Sequence, residues 1–425
     1  MKHTRALVFL FSAHIISNFA SGITMLAIPW YMVSKLDAAD TNALIMAGIT
    51  FLTLFWSTYA GTLIDRYNRK RIFQAQQVGA GSILIGAAVY GMSTGDMPIP
   101  LIGVCAGATI FSWSIYYPNL YAFVQELFEP KYYKQINSGI ELVGQFTNFL
   151  GMLVGSVMLA GTDAFTWWPE ALTFQGWELS EIILMDGVTY LCAAVIISPI
   201  RYTPGKYAAE SSGGLFDRVR EGYRFLRARP ELMVFGICSH IVFACLLVFV
   251  HAGLSMYVQY HLGMGYEEGA VASAEFEAVY SIGAVLAGLS GIFLAKWMQK
   301  TNLIRQITFL LFLMAGIYFA FSVWRAEWII VIGSLLTGIC NAGCRILRIT
   351  YIVRIVPNEV IGRTNSFFSV VNVAMRLAFL LMLTIPFFNS SNIVYGLVIM
   401  GVACAFCGVL LLIYFPKFDQ KAAYG

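Results

Sequence analysis

The stretch Gly61-Thr62-Leu63-Ile64-Asp65-Arg66-Tyr67-Asn68-Arg69-Lys70-Arg71 is a short basic segment between two long apolar runs. Residues 43–60 before it and residues 72–95 after it contain no charged side chain. A bilayer is crossed by about 20 apolar residues, so each run is of spanning length. Basic connections between spanning helices stay on the cytoplasmic side of a membrane. The stretch therefore predicts two transmembrane helices joined by a cytoplasmic hinge.

The composition extends this prediction to the whole chain, which has 425 residues, of which 59% are hydrophobic and 12% charged. Soluble domains carry about 25% charged residues, so the sequence predicts an integral membrane protein. The first apolar segment is longer than the core of a secretory signal, and we expect it to be retained. Twelve segments of spanning length occur near residues 6–33, 43–63, 72–92, 99–124, 138–161, 181–200, 232–257, 271–295, 303–323, 327–350, 365–387 and 391–415.

The basic residues predict the orientation of these segments. With both termini inside, 24 of the 27 Lys and Arg residues fall in cytoplasmic stretches or at cytoplasmic helix ends. Lys35 and Arg325 fall outside, and Arg376 lies deep within the eleventh segment. This bias predicts cytoplasmic termini, in a bacterial inner membrane. It also explains the net charge of +4 without nucleic-acid binding.

The cysteines and motifs argue against enzymatic chemistry. All eight cysteines lie in apolar segments, and Cys404-x-x-Cys407 has no histidine or carboxylate companions. We interpret them as packing residues and expect no metal and no cofactor. The sequence contains no phosphate-binding loop and no nucleophile triad, so an ion gradient is favoured over ATP as the energy source.

The longest hydrophilic inner stretch, residues 201–231, divides the chain into a half at 1–200 and a half at 232–425. Within this linker, Phe216, Val219, Tyr223 and Leu226 share one face of a predicted helix lying at the cytoplasmic interface. The helix is either a simple connector or a regulatory site.

Two motifs recur between the halves. Gly61-x-x-x-Asp65-Arg66-x-x-Arg69-Lys70 is echoed at residues 291–300, and Pro130 with Asn137-Ser138 is echoed by Pro357 with Asn365-Ser366. The offsets, 227 to 230 residues, are nearly constant. The repetition predicts a duplicated six-helix unit.

The hinge resembles the signature G-x-L-x-D-R-x-G-R-[RK] between helices 2 and 3 of the major facilitator superfamily of transporters, with Asn68 in place of the second glycine. Asparagine tolerates a left-handed turn better than most residues. The resemblance implies an all-α fold of twelve transmembrane helices in two pseudo-symmetric six-helix halves. It also implies that Asp65 accepts hydrogen bonds at a facing helix N-terminus and pairs with Arg66 or Arg69. The expected conformational latch comprises Gly61, Asp65, Arg66, Arg69 and Lys70.

Two further motifs narrow the resemblance. Phe225-Leu226-Arg227-x-x-Pro230 and Val356-Pro357-Asn358-Glu359-x-x-Gly362-Arg363 are similar to motifs of the drug:proton antiporter branch. That branch contains macrolide exporters and the enterobactin exporter.

Polar residues within the apolar segments are candidates for a water-filled path, because they are costly in lipid. In the fifth segment Asn137, Glu141, Gln145 and Asn148 share a face, and the opposite side carries Gly144, Gly151 and Gly155 for close helix contact. The alternative for Asn137 and Glu141 is a position near the cytoplasmic surface, and for each histidine a hydrogen-bonded packing role. The resulting cavity candidates are His14, Asn18, Trp113, Tyr116, Asn119, Gln145, Asn148, His240, His251, Asn341, Arg345, Asn372 and Arg376.

Arg376 lies about twelve residues into its segment, roughly 18 Å at 1.5 Å per residue, and so near mid-bilayer. Such a guanidinium requires an acidic partner, water or an anionic ligand. The acidic candidates are Asp186, Glu275 and Glu277, and a structural ion pair is the alternative to a substrate contact.

A buried carboxylate that gains and loses a proton is one way to couple transport to a proton gradient. The candidates, in order, are Glu277, Asp186 and Glu141. We therefore predict a secondary transporter, a monomer, that exports an amphiphilic organic compound against proton influx by alternating access. The alternatives are import or export of an anionic metal chelate such as a siderophore, and a receptor or lipid-flipping protein on the same scaffold.

Overall fold

The computed structural model describes residues 4–161, 175–201, 215–265, 268–273, 275–276, 279–280, 282–283, 286 and 303–422. Over these residues the chain is almost entirely helical. Within these described residues, ten helices are long and apolar enough to cross a membrane. Of the remaining two predicted segments, the fifth forms a helix at Tyr133–Ala160. The eighth lies largely outside the described residues. An all-α membrane fold is confirmed.

The described residues before the linker form α1 (Thr4–Ser34), α2 (Ala39–Arg66), α3 (Arg69–Thr94), α4 (Ile99–Leu127), α5 (Tyr133–Ala160) and α6 (Leu179–Ile197). The linker contains α7 (Leu215–Arg227), and α8 (Pro230–Val248) follows it. The helical path of α8 continues through π-helical turns at Phe249–Gly253 and Tyr257–His261. The later helices are α9 (Leu303–Val323), α10 (Glu327–Ile355), α11 (Asn358–Leu383) and α12 (Ile393–Ala422).

Asn68 lies at the break between α2 and α3, but it does not have the left-handed backbone that the sequence predicted. Its φ and ψ are −58° and 117°, so it is not left-handed. Instead, its side-chain oxygen accepts a hydrogen bond of 3.1 Å from the backbone N–H of Arg71 and caps α3. Asparagine suits this place because its short side chain satisfies a helix N–H that has no intrahelical partner.

The two runs of helices pair in the same pattern. In the first run α1 packs on α5 and α6, while α3 packs on α4 and α6. In the second run α8 packs on α11 and α12, while α9 packs on α10 and α12. The correspondence supports the duplicated six-helix unit, although the sequence echo at residues 291–300 lies outside the described residues.

The chain forms two compact units. One comprises Met1–Ala38, Leu52–Ser211 and Met264–Ala274, and the other comprises Ala39–Phe51, Ser212–Gly263 and Glu275–Gly425. These units follow the predicted halves for most of their length. They differ in that the first part of α2 groups with the second unit and residues 264–274 group with the first.

Glycines on α5 bring it close to α1, as the sequence predicts. A Cβ added to Gly155 would lie 3.1 Å from the Ile23 Cα, and one added to Gly144 would lie 3.0 Å from the His14 Nε2. At Gly151 the added atom would lie 2.9 Å from the Phe19 carbonyl carbon and closer still to its oxygen. The backbones of the two helices therefore touch along this stripe.

The linker helix α7 packs on α11 within the second unit. Glu221 and Arg363 form an ion pair of 2.8 Å, and the rings of Tyr223 and Phe367 lie 5.9 Å apart. Leu226 is fully buried. The predicted apolar face thus has α11 as its packing partner.

Candidate functional site

His14 is at the centre of a buried hydrogen-bond network in the first unit. Its Nε2 lies 2.9 Å from the Ile140 carbonyl oxygen. Because a carbonyl only accepts, Nε2 carries the proton. The Nδ1 atom then accepts from the Tyr116 hydroxyl and the Asn18 amide, each at 2.9 Å. His14, Asn18 and Tyr116 are at most 4% exposed, so all three hold α1, α4 and α5 together.

An aromatic row on α4 continues this network to a partly exposed surface. The Tyr117 hydroxyl donates to the Asn18 Oδ1 at 2.9 Å. The Tyr117 ring lies 5.4 Å from that of Trp113 and 6.1 Å from that of Tyr121. The three rings occupy one face, four residues apart. Of the α4 candidates, Trp113 is the one that remains partly open.

Other first-unit candidates serve helix contacts. Asn119 is fully buried and donates to the Arg69 carbonyl at 2.9 Å, so it fixes α4 to α3. Asn148 lies against Gly22 of α1. The side chains of Glu141 and Gln145 lie outside the described residues.

The basic residues of the hinge anchor α3 to its neighbours. Arg69 donates to the Ala122 carbonyl and lies 3.6 Å from a carboxylate oxygen of Glu126 on α4. Lys70 donates to the carbonyl oxygens of Ser198 and Ile200 at 2.6 and 3.0 Å, at the end of α6. Cations favour such helix C-termini. Sequence reasoning did not predict that Glu126 pairs with Arg69. The one feature of the sequence that pointed to Glu126 is its position near the end of a predicted transmembrane segment.

The remaining hinge candidates are described less fully. Arg66 is exposed at the end of α2. Gly61 is part of α2. The side chains of Thr62 and Asp65 lie outside the described residues, so the expected pairing of Asp65 remains a prediction.

Asp186 is a fully buried carboxylate in α6. Thr24 of α1 lies beside it. Neither carboxylate oxygen completes a hydrogen bond with a described residue, and the Thr24 hydroxyl likewise lacks a partner there. One turn later, the Tyr190 hydroxyl lies 3.3 Å from the Ser21 hydroxyl. An ionisable side chain buried in a membrane-spanning helix is costly, so Asp186 is a candidate for a functional residue.

The second unit contains a cavity of about 260 Å³ between α8, α10 and α11. His240, Arg348, Asn365, Ser369 and Asn372 provide its polar lining. The Asn372 amide donates to the His240 carbonyl at 3.2 Å, which joins α11 to α8. Sequence reasoning named His240 and Asn372 as cavity residues. It placed Arg348 in a polar stripe with Asn341 and Arg345 but did not include it among the cavity candidates. The spacing of Arg348, three residues from Arg345, was the available signal.

Arg376 and His251 hold the first part of α2 against the other helices of the second unit. Arg376 donates to the Thr50 hydroxyl at 3.2 Å, and Asn42 donates to the His251 carbonyl at 3.1 Å. Within the second unit, no carboxylate among the described side chains pairs with Arg376, so Glu275 is not its partner. Glu277 lies outside the described residues.

The last two candidates lie on α10. Asn341 is buried and donates to the Tyr280 hydroxyl at 2.8 Å, whereas Arg345 is exposed. Among the described residues, no group of three or more His, Cys, Asp or Glu side chains is arranged to hold a metal ion.

The sequence matches the profile of the Major Facilitator Superfamily over residues 10–380. The chain belongs to this superfamily. It is an integral membrane protein with a transporter fold, which implies a small-molecule substrate. Comparison with curated protein sequences found no match.

Several solved transporter structures have folds that align with almost the whole chain. The nucleoside transporter NupG is 11% identical with a TM-score of 0.72, covering 96% of this chain and 99% of that one. A bacterial homologue of the human lysosomal transporter Spinster, inward-facing and occupied, is 12% identical with a TM-score of 0.72, covering 97% of each chain. A bacterial homologue of the iron transporter ferroportin is 14% identical with a TM-score of 0.66, covering 97% and 99%. These likenesses show the fold alone.

The contact between Arg376 and Thr50 leads to a prediction about stability. Arg376→Ala is expected to lower the melting temperature of the purified transporter, because it removes a long, partly buried side chain and its hydrogen bond to α2. Arg376→Lys is expected to rescue it poorly, because an ammonium does not reproduce a planar guanidinium. Thermal unfolding in detergent checks both, with Thr50→Val as the matched variant at the partner. Unchanged melting in all three would show that the contact does not stabilise the second unit.

Proposed function

We propose that this protein is a proton-coupled secondary transporter that exports an amphiphilic organic compound by alternating access. Asp186 is the observation that carries proton coupling. It is a buried carboxylate without a hydrogen-bond partner among the described residues, and it lies between helices that also bury Thr24, Ser21 and Tyr190. A carboxylate in the membrane-spanning region is costly and marks an ion path in many transporters.

The direction of transport rests on the linker and α11 motifs, which resemble the drug:proton antiporter branch. The structural neighbours do not select a substrate, because their names include a nucleoside transporter and an iron-transporter homologue on one fold. We place the protein in a bacterial inner membrane with both termini in the cytoplasm. The distribution of Lys and Arg supports this orientation.

A second candidate function is transport of an anionic metal chelate. It is favoured by Arg348 and His240, which face one cavity in the second unit. The chelate would be the cargo, and its import is the alternative to export.

The test uses inverted membrane vesicles with an imposed pH gradient. The probes are a macrolide and a catecholate siderophore, the latter with and without iron. Export predicts that a probe accumulates in the lumen when the lumen is acidic, and that a protonophore abolishes the accumulation. Vesicles from cells that lack the protein are the control. Accumulation independent of the gradient would overturn proton coupling, and gradient-driven uptake only into right-side-out vesicles would favour the importer.

The hinge gives a separate prediction about the conformational cycle. We expect Asp65→Asn to slow transport while the protein stays folded, because it removes the latch charge and leaves the side-chain size nearly unchanged. Initial rates are measured over a substrate titration at matched expression. The control is Asp96→Asn, which neutralises an exposed carboxylate before α4. Transport by Asp65→Asn at the parental rate would contradict the latch.

A further inference from the structure

The lining of the cavity in the second unit is partly polar and partly apolar. Arg348, His240 and three side chains of α11 are its polar members, and Phe243 with three isoleucines are its apolar members. Its volume of about 260 Å³ is slightly below the 300–1,000 Å³ typical of small-molecule sites. The size and chemistry therefore suit a small amphiphile, or the polar end of a larger one.

Arg348 gives the cavity a positive charge that the described residues do not neutralise. One guanidinium N–H donates to the Ser239 carbonyl at 3.0 Å, which positions the side chain. No carboxylate among the described side chains forms an ion pair with it. A nearby second cation, Arg345, adds to the positive potential. A guanidinium has five N–H donors in a planar fork, which matches the oxygens of carboxylates and phosphates.

Neutral polar groups complete the site. Asn365, Ser369 and Asn372 follow at intervals of four and three residues, so they share one face of α11. His240 uses its Nδ1–H for the Gly236 carbonyl at 2.7 Å, so its Nε2 is an acceptor and suits a donor group of the ligand and not the oxyanion itself. The ring of His240 stacks on Phe368 with centroids 5.5 Å apart. Packing thus holds the ring in place before any ligand binds.

We propose that this cavity binds the oxyanion of an amphiphilic organic anion, with Arg348 as its cation and Asn365 and Ser369 as hydrogen-bond donors. The inference rests on the proposed transport function and narrows its substrate to compounds with a carboxylate or phosphate next to an apolar group. Charge-assisted hydrogen bonds to a guanidinium are about twice as strong as neutral ones, so the charge dominates recognition.

The test measures equilibrium binding to the purified full-length protein in detergent, with three probes at one pH. Phenyl phosphate and phenylacetate are the anions, and phenylacetamide is the neutral isostere. We expect both anions to bind, and the amide to bind at least about tenfold more weakly, since hydrogen bonds to charged groups contribute about 1.5–3 kcal/mol. Binding by one anion alone would identify the oxyanion as carboxylate or phosphate.

Variants assign the effect to the cavity. Arg348→Gln is expected to weaken anion binding about tenfold or more and to leave the amide unchanged. Arg220→Gln is the matched control, because it removes an exposed positive charge on α7 away from the cavity lining. If Arg348→Gln does not fold, Asn365→Ala and Ser369→Ala decide the question, because both side chains are exposed. Each is expected to weaken anion binding selectively.

Several results would overturn the proposal. These are equal binding of the amide and the anions, no saturable binding of either anion, or parental anion affinity in Arg348→Gln or in both α11 variants. No gradient is present in this assay. The two proposals can therefore fail separately. A vesicle assay that contradicts proton coupling does not change the measured anion affinity, and a lack of anion binding does not change the outcome of the vesicle assay.

Discussion

Asp186→Asn is expected to abolish uphill, pH-gradient-driven accumulation while substrate binding and downhill exchange remain measurable. Asparagine has nearly the same shape but cannot gain and lose a proton. Asp186 is 0% exposed and Thr24 lies beside it, so a substitution of nearly the same shape is expected to keep the packing of α6 on α1. Accumulation and counterflow are measured in the same proteoliposomes, with and without an imposed gradient.

Two comparisons separate coupling from folding. Asp96→Asn makes the same chemical change at an exposed loop position and is expected to accumulate substrate like the parent. Thr24→Val replaces the neighbouring hydroxyl with a group of similar size and tests whether the local environment of Asp186 matters. Loss of binding together with accumulation in Asp186→Asn would assign the residue to folding. Full accumulation by this variant would exclude Asp186 and leave Glu277 and Glu141 as the predicted carboxylates.

Gly151→Ala adds one methyl group to α5. Among our predictions for the first unit, it is expected to lower the stability of the folded protein the most. The added Cβ would meet the carbonyl group of Phe19 on α1, lying 2.9 Å from its carbon and nearer to its oxygen. That neighbour is backbone, so it cannot turn away as a side chain can. Overpacking costs typically about 1–3 kcal/mol, and we expect the upper end of this range or more.

The measurement is thermal unfolding in detergent, together with the yield of folded protein. Gly79→Ala is the matched control, because Gly79 lies in α3 with nothing within 4 Å of the added Cβ. Alanine is favoured over glycine in a helix by about 1 kcal/mol, so this control is expected to melt at the same temperature or slightly higher. Equal melting temperatures for the two variants would contradict the prediction. They would show that α1 and α5 can move apart by the width of a methyl group without loss of stability.

The sequence predicted those features that are determined within a single helix or turn. The glycines at 144, 151 and 155 predicted a close helix contact, and the structure confirms it with α1 as the partner. The hinge predicted the break between α2 and α3 but not the capping role of Asn68, because both outcomes suit asparagine. Local composition and periodicity carry this information.

Partners on other helices could not be predicted, because the sequence does not specify the rotation and height of one helix against another. His14 contacts Tyr116 and Ile140, which lie 102 and 126 residues away. For Arg376 we predicted an acidic partner, water or an anionic ligand, and among the described residues its hydrogen-bond partner is a threonine hydroxyl on α2, 326 residues away. Arg348 was visible only as a polar residue on α10 until packing placed it beside α8 and α11.

The docking of α7 on α11 has a consequence for which substitutions the linker tolerates. A Cβ added to Gly222 of α7 would lie 2.8 Å from the Arg363 carbonyl carbon, so the two helices touch at their backbones. The ion pair between Glu221 and Arg363 and the ring contact between Tyr223 and Phe367 lie on either side of this point. A side chain at position 222 would have to push two backbones apart. This part of the linker is therefore under the steric constraint of a core helix and does not have the freedom of a surface connection.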